Sequence, residues 1–236
     1  MQNNLEEAIQ EIIKQNAQRE ALREMIKSSL FILAKFFLGY KDITWATHGQ
    51  VIEALESPAK RKMIVMPRNT FKSSLACVAF PIWRLLKNYD ETILVDSELY
   101  TNSKNFLREI RGHLESPMLV DLFGEFKSRT WGEAEIIIKQ RTTPSPQASI
   151  TVGGIGTTKV GQHYGLWVGD DYNSPDNSDT PDKCQKVINH FRYNLNILKP
   201  DGEAVIIGTR YSENDVIGWL LRDFLDEKKL SEGSFG

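Results

Sequence analysis

The chain has 236 residues, enough for one large domain or one domain with an appendage, and its 41% hydrophobic and 25% charged content is that of an ordinary globular protein. With 29 basic against 31 acidic residues the formal net charge is −2, so no global positive field draws in nucleic acid and any grip on it must be a local patch. Two cysteines, Cys77 and Cys184, make neither a disulfide framework nor a metal quartet, and fit a reducing, cytosolic compartment.

No apolar run approaches the roughly 20 residues needed to span a membrane, and the N-terminus lacks the basic-then-apolar layout of a signal peptide. The chain therefore reads as soluble and not exported. Residues 4–38 hold no proline and place Leu5, Ile9, Ile12, Ile13, Leu22, Ile26, Leu30 and Leu33 at helical spacing. This predicts one long helix or two shorter ones ended by Gly39: a helical appendage over residues 1–40 that docks on the main domain, or alternatively binds a partner. The main domain is expected over 41–228, with 229–236 as a linker stub.

Within that domain a short helix is expected over His48–Glu56. After Ser57–Pro58 and the basic triplet Lys60–Lys62, the apolar run Met63–Met66 reads as a buried strand, followed by a loop and a helix over Ser73–Leu86. The pattern recurs with a strand at Thr92–Val95 and a helix at Tyr100–Leu114, whose Phe106, Leu107, Ile110 and Leu114 share one face. Glu135–Ile138 and Ala148–Val152, separated by the turn-rich Thr142–Pro146, are expected to pair antiparallel at the sheet edge. Gly165–Gly169 is a third apolar strand, Asp182–Leu198 a helix, Ala204–Ile207 a fourth buried strand and Asp215–Glu227 a last helix. Strands alternating with helices predict a three-layer α/β fold with a mostly parallel central sheet.

Two segments carry chemistry. Pro67-Arg68-Asn69-Thr70-Phe71-Lys72-Ser73 lies between a buried strand and a helix start, where backbone N–H groups and the helix dipole both favour an anion. Lys72 has the reach to meet the β- and γ-phosphates of a nucleotide, and the Ser73 hydroxyl suits Mg²⁺. Glycines usual in such a loop are missing: Met66 and Phe71 stand in their places. The second segment, Gly169-Asp170-Asp171, puts two carboxylates at the end of an apolar strand, the rim where open α/β sheets bind ligands. Nucleoside triphosphate hydrolysis needs one acid for the metal, assigned to Asp170, and one to orient or deprotonate water, assigned to Asp171. A third turn, Gly208-Thr209-Arg210, ends the next buried strand and offers a hydroxyl and amides beside the γ-phosphate position.

Other features read more plainly. Gly153-Gly154-Ile155-Gly156 lacks the strand–helix context of a dinucleotide site. His163 reads as a packing or hydrogen-bonding residue, Trp131 and Arg141 as edge-strand packing, and Arg129, Arg141 and Lys159 as scattered solvated cations.

Taken in order, these residues resemble the large terminase subunits of tailed bacteriophages. The loop is similar to that family's Pro-Arg-x-x-x-Lys-Ser form of Walker A. Ser149-Ile-Thr-Val-Gly-Gly-Ile-Gly, Gly161-Gln-His-Tyr and Gly169-Asp-Asp-Tyr-Asn resemble its approach to Walker B, and Ile207-Gly-Thr-Arg-Tyr-Ser-Glu-Asn-Asp its coupling motif. The likeness runs from about His48 to Leu220. It implies an additional-strand P-loop ATPase fold, ATP and Mg²⁺ as cofactors, and ATP hydrolysis that drives double-stranded DNA into a procapsid. It also implies a ring on the portal protein, a small terminase subunit as partner, and the host cytoplasm as location. Pro67, Arg68, Asn69, Thr70, Phe71, Lys72, Ser73 and Ser74 would bind ATP, and Gln50 would meet the adenine. Arg68, Lys72 and Asp171 would be catalytic, Ser73 and Asp170 would hold the metal, and Gly208, Thr209 and Arg210 would couple hydrolysis to motion. The chain departs from the pattern at Asn69 and Phe71 and in having Asp171 where the family more often has Glu, and the family's nuclease domain is not in this sequence, so DNA cleavage is not expected from it. Two alternatives remain: a degenerate P-loop module that binds nucleotide or portal as an assembly adaptor, and one half of a helicase-like motor.

Overall fold

The computed structural model of the chain describes residues 2–67, 70–157 and 161–225, with side chains from Ile13 to Arg222. Helix α1 (Gln2–Ser28) stops where Ser29 takes extended backbone and caps the short α2 (Leu30–Ile32), which widens into a π turn over Leu33–Phe37. Gly39, at φ +79°, ends this segment. The paired-helix form is the one adopted, because the Ser29 hydroxyl offers the Ile32 N–H a partner outside the helix. Ile26, Leu30 and Leu33 are fully buried in the main core, so this end is docked, while residues 13–22 face solvent.

Thr44 caps α3 (Trp45–Glu56), which leads to β1 (Arg61–Val65). Helix resumes at Lys72 and runs as a π turn over Ser74–Ala79 into α4 (Phe80–Lys87). Pro81 has no N–H to give the preceding turn, and the wider π turn lies just before it. The chain continues through β2 (Ile93–Ser97), α5 (Tyr100–Leu114) and α6 (Pro117–Phe123). Next come β3 (Lys127–Trp131), β4 (Glu135–Ile138) and β5 (Ile150–Gly154). Strand β6 (Tyr164–Asp170), α7 (Pro181–Asn196), β7 (Leu198–Gly208) and α8 (Val216–Leu225) complete it.

The strands form one seven-stranded sheet in the order β1-β7-β6-β2-β5-β4-β3. The first five are mutually parallel, β4 pairs antiparallel with β5, and β3 pairs antiparallel with β4. Alternation along the central strands builds three layers. Val95, Leu166, Val168, Val205 and Ile207 pack with Leu75, Phe80 and Leu107 on one face. Leu94, Trp167, Ala204 and Ile206 pack with Val187, Phe191 and Ile217 of α7 and α8 on the other. The three-layer, mostly parallel fold with an antiparallel edge is thus the one expected.

Two elements had no place in the sequence reading. Helix α6 is short, yet its signals are present: Ser116 caps the Leu119 N–H, Pro117 opens the first turn, and Gly124 at φ +82° closes it. Strand β3 has no buried residue and so no apolar alternation. Its presence corrects the expected edge: β4 and β5 do pair, but β5 lies inside against β2 and polar β3 is the border.

At the opposite end of the sheet from the acidic pair, Glu203 of β7 holds Lys62 of β1 and Arg84 of α4, each at 2.6 Å. Arg84 also meets Glu91 at 2.9 Å. Removing one partner strands buried charge, so Glu203→Gln is expected to destabilise the fold by about 3 kcal/mol. The midpoint of urea unfolding measures it, and an unchanged midpoint would show that the pair does not hold β7 between its neighbours.

Candidate nucleotide site at the strand tips

The strand order places the site. Strand β7 is inserted between β1 and β6, so the loop after β1, the acidic pair after β6 and the Gly208–Thr209 turn meet at one rim. The tips are level, with Val65 opposite Gly208 and Asp170 opposite Ile207. Backbone bonds continue past the strands, Met66 N–H to Gly208 O at 3.2 Å and Asp171 N–H to Ile207 O at 3.0 Å. The Thr209 hydroxyl donates to Met66 O at 3.3 Å and so ties the third turn to the start of the loop.

Lys72 and Ser73 open the helix and both reach the carboxylates. Lys72 Nζ lies 3.2 Å from Asp171 Oδ2, and Ser73 Oγ donates to Asp170 Oδ1 at 2.7 Å. Lys72 and Asp170 are buried, while the Asp171 side chain keeps about a third of its surface (32%). The other oxygen of Asp171, Oδ1, is buried and has no hydrogen-bond partner. It lies over Gly208, where a Cβ would stand 3.4 Å from it and 3.3 Å from Ile217 Cδ1. A side chain at 208 would therefore press on the acid.

Burial pushes the Asp170 carboxyl up to about 7; the Asp171 charge adds to this, while the Ser73 hydrogen bond and Lys72 oppose it. The unfolded carboxyl titrates near 3.8, so the fold favours the neutral form. This contribution is fully present below about pH 4 and is lost as pH rises through about 7. Without divalent metal, the thermal stability of wild type relative to Asp170→Asn is expected to fall between pH 5.5 and pH 8, and added Mg²⁺ should restore it. Parallel pH profiles for the two proteins would count against this.

The donors present suit a hard cation. Ser73 Oγ, the Asp170 carboxylate and the unpartnered Asp171 Oδ1 are all oxygens. Among the described residues there is no cluster of three or more His, Cys, Asp or Glu side chains that could hold an ion alone. Mg²⁺ would suit these oxygen donors, because it is commonly held by one or two carboxylates together with phosphates.

The missing loop glycine is accounted for by backbone geometry. Among the described residues, the non-glycine positions with positive φ are Phe71 (55°) and Asp171 (38°), one on each side of the site. Phe71 thus takes the left-handed turn that glycine usually serves, at a cost of about 1–2 kcal/mol. Its ring is braced edge-on against His48 of α3 at 5.9 Å, and Thr70 Oγ1 donates to Pro67 O at 2.8 Å. Strain of this kind persists only where the surroundings over-determine it, and it gathers at functional sites.

Arg68 and Asn69, with Lys159, lie outside the described residues. Ser74 stands at the first position of the π turn, behind Ser73. Gln50 is exposed on α3, and the contact from that helix to the loop is made by His48. Arg210 is turned to its own loop, Nε donating to Ser212 O at 3.3 Å. His163 is exposed. Trp131 donates to Glu115 at 2.7 Å and Arg141 to Gln147 O at 2.6 Å. Sequence reasoning missed Tyr172, beside the acidic pair, and Asp96, a carboxylate directly after the apolar run Ile93–Val95 of a fully buried strand; that anomaly was the available signal. Both cysteines are buried and free.

No protein-family model and no curated protein matches this sequence. Among solved structures, the large terminase of bacteriophage HK97 matches with a TM-score of 0.52 at 12% identity, over 86% of this chain and 42% of that one. A Saccharomyces cerevisiae Dbp5 variant bound to Nup159, Gle1, IP6 and ADP matches with a TM-score of 0.48 at 10% identity, over 83% and 49%. The chain spans less than half the length of either. The structural likeness to a phage large terminase expected from the motifs is therefore found. At 12% identity it is a likeness of fold alone. No helix among the described residues is long and apolar enough to cross a membrane.

Proposed function

We propose that this domain is the ATPase of a viral DNA-packaging motor, hydrolysing ATP with Mg²⁺ to drive double-stranded DNA into a procapsid. The observation that carries the hydrolase part is the double contact at the rim, Lys72 to Asp171 and Ser73 to Asp170, which joins the phosphate loop to the acidic pair. The packaging part rests on the ordered motifs together with the terminase-like fold.

In this reading Lys72 and the amides at the helix start bind the phosphates. Ser73 and Asp170 would hold Mg²⁺, which would supply charge neutralisation for the phosphates. The resting ion pair gives binding a consequence. When a triphosphate takes Lys72, Asp171 loses its cation partner and becomes free to orient or deprotonate water. Its side chain is one methylene shorter than glutamate, and the left-handed turn at Asp171 redirects it. Arg68 would contact the triphosphate and stabilise transition-state charge, and Thr209, bonded to Met66 O, would respond to the loop. The portal protein, a small terminase subunit and neighbouring copies in a ring are the partners of this reading.

The test is phosphate release from ATP by the full chain, with and without Mg²⁺, then in the presence of portal protein and duplex DNA. Mg²⁺-dependent turnover that rises on portal and DNA is the expected result. Nucleotide binding with no turnover in a portal-bound ring would sink the hydrolase reading in favour of an adaptor. Turnover indifferent to portal and DNA would sink the packaging assignment alone.

A further inference from the structure

Strand β2 carries a carboxylate where its neighbours carry glycine. Asp96 pairs in register with Gly153 of β5 on one side and Gly169 of β6 on the other. A Cβ at Gly153 would stand 2.8 Å from Asp96 Oδ1, and a Cβ at Gly169 would stand 2.5 Å from the Tyr172 ring. Both glycines leave room for side chains laid across the sheet. Asp96 and Tyr172 fill that room and are almost fully buried.

Four donors converge on Asp96. Its Oδ2 accepts from Tyr172 OH at 2.8 Å and from Asn194 Nδ2 at 2.6 Å, and pairs with His190 Nε2 at 2.6 Å. Its Oδ1 accepts from the Ser97 N–H at 3.1 Å. Tyr172 OH in turn accepts from Trp167 Nε1 at 3.0 Å. The Tyr172 hydroxyl is thus fixed between β2, β6 and α7, and nothing in this group reaches a phosphate site directly.

The effect is on the residue before it. To lay the Tyr172 ring back over Gly169, the chain must reverse immediately after β6, and the reversal falls on Asp171, at φ +38°. That turn, with Asp171 N–H held on Ile207 O, presents the carboxylate to Lys72 rather than along the strand. We propose that Asp96, acting through the Tyr172 hydroxyl, is a positioning residue that holds Asp171 in its left-handed turn. The proposal rests on the hydrolase reading for its catalytic consequence but not for its geometry.

The experiment uses the full chain with Tyr172→Phe, which deletes only the hydroxyl, and Asp96→Asn, which keeps the volume of the carboxylate. Amide hydrogen exchange at Asp171 is expected to quicken about tenfold in both, with the β7 amides of Val205 and Ile207 unchanged. The kcat for ATP is expected to fall about tenfold or more with the Kd for nucleotide held within about twofold, the mark of a misplaced catalytic group rather than a lost binding one. Exchange at Asp171 that stays within about twofold of wild type in both variants overturns the proposal, and so does faster exchange with unchanged kcat. A wild-type chain that never turns over, yet shows the exchange response in the variants, overturns the hydrolase reading and leaves the anchoring of Asp171 supported.

Discussion

Lys72→Ala is expected to abolish ATP turnover, lowering kcat/KM by about 10³-fold or more, because it removes a buried cation aimed at the rim where phosphate charge would develop. Lys72 is a component of the ground-state site as well as of the reaction, so nucleotide affinity should weaken in parallel. The substitution also leaves Asp171 without its ion-pair partner. Lys72→Met, which keeps the aliphatic stem packed, therefore belongs beside it and should lose activity to the same extent while unfolding at nearly the wild-type temperature. Phosphate release and fluorescent-nucleotide titration measure the two effects. Turnover surviving in either variant within about tenfold of wild type would remove Lys72 as a group that stabilises the transition state.

Asp171→Asn should separate binding from chemistry. The amide cannot take a proton from water, so kcat is expected to fall by about 10²–10⁴-fold, the range that a positioned general base supplies. Affinity for ATP should hold or tighten, because the variant no longer offers Lys72 a competing anion at 3.2 Å. Asparagine tolerates the left-handed turn at this position, so the backbone should survive the change. Single-turnover kinetics with titration of a non-hydrolysable analogue test it. Loss of nucleotide binding together with turnover would mean that Asp171 is part of the binding surface and that the acid acting on water lies elsewhere.

The two substitutions also divide the readings left open by the sequence. A hydrolase loses turnover in both and binding in one. An adaptor that holds nucleotide without reacting loses binding in Lys72→Ala and changes little in Asp171→Asn. Phe71 adopts the backbone turn that a glycine would have served, so the loop keeps its geometry in either reading.

The amino-acid order by itself determined the layers, and the reason is local. Apolar runs such as Leu166–Val168 and Val205–Ile207 have to bury both faces, and amphipathic stretches such as Tyr100–Leu114 have to bury one; a covered, mostly parallel sheet satisfies both. It also determined which residue types would stand at the rim, since Lys72–Ser73 follows an apolar strand across a short loop and Asp170–Asp171 stands at the end of another. Boundaries set by local caps, such as Thr44 and Ser116, were equally available from the sequence, although only the first lay near an expected helix. Strand β3 was not available: an exposed border strand has no alternation to read, and pairing with β4 alone defines it.

What only the tertiary structure decided is whether the two candidate segments meet, and how. They are about a hundred positions apart in the chain, and the insertion of β7 between β1 and β6 brings Lys72 to Asp171 and Ser73 to Asp170. The strained turn at Asp171 belongs to the same level. No residue type at 171 demands a positive φ; the demand comes from Tyr172, drawn back over Gly169 by a carboxylate on a different strand. Composition and spacing act along the chain, whereas orientation at this rim is set by hydrogen bonds across it. That is why the acidic pair of Asp170 and Asp171 was legible from the sequence and the direction in which Asp171 points was not.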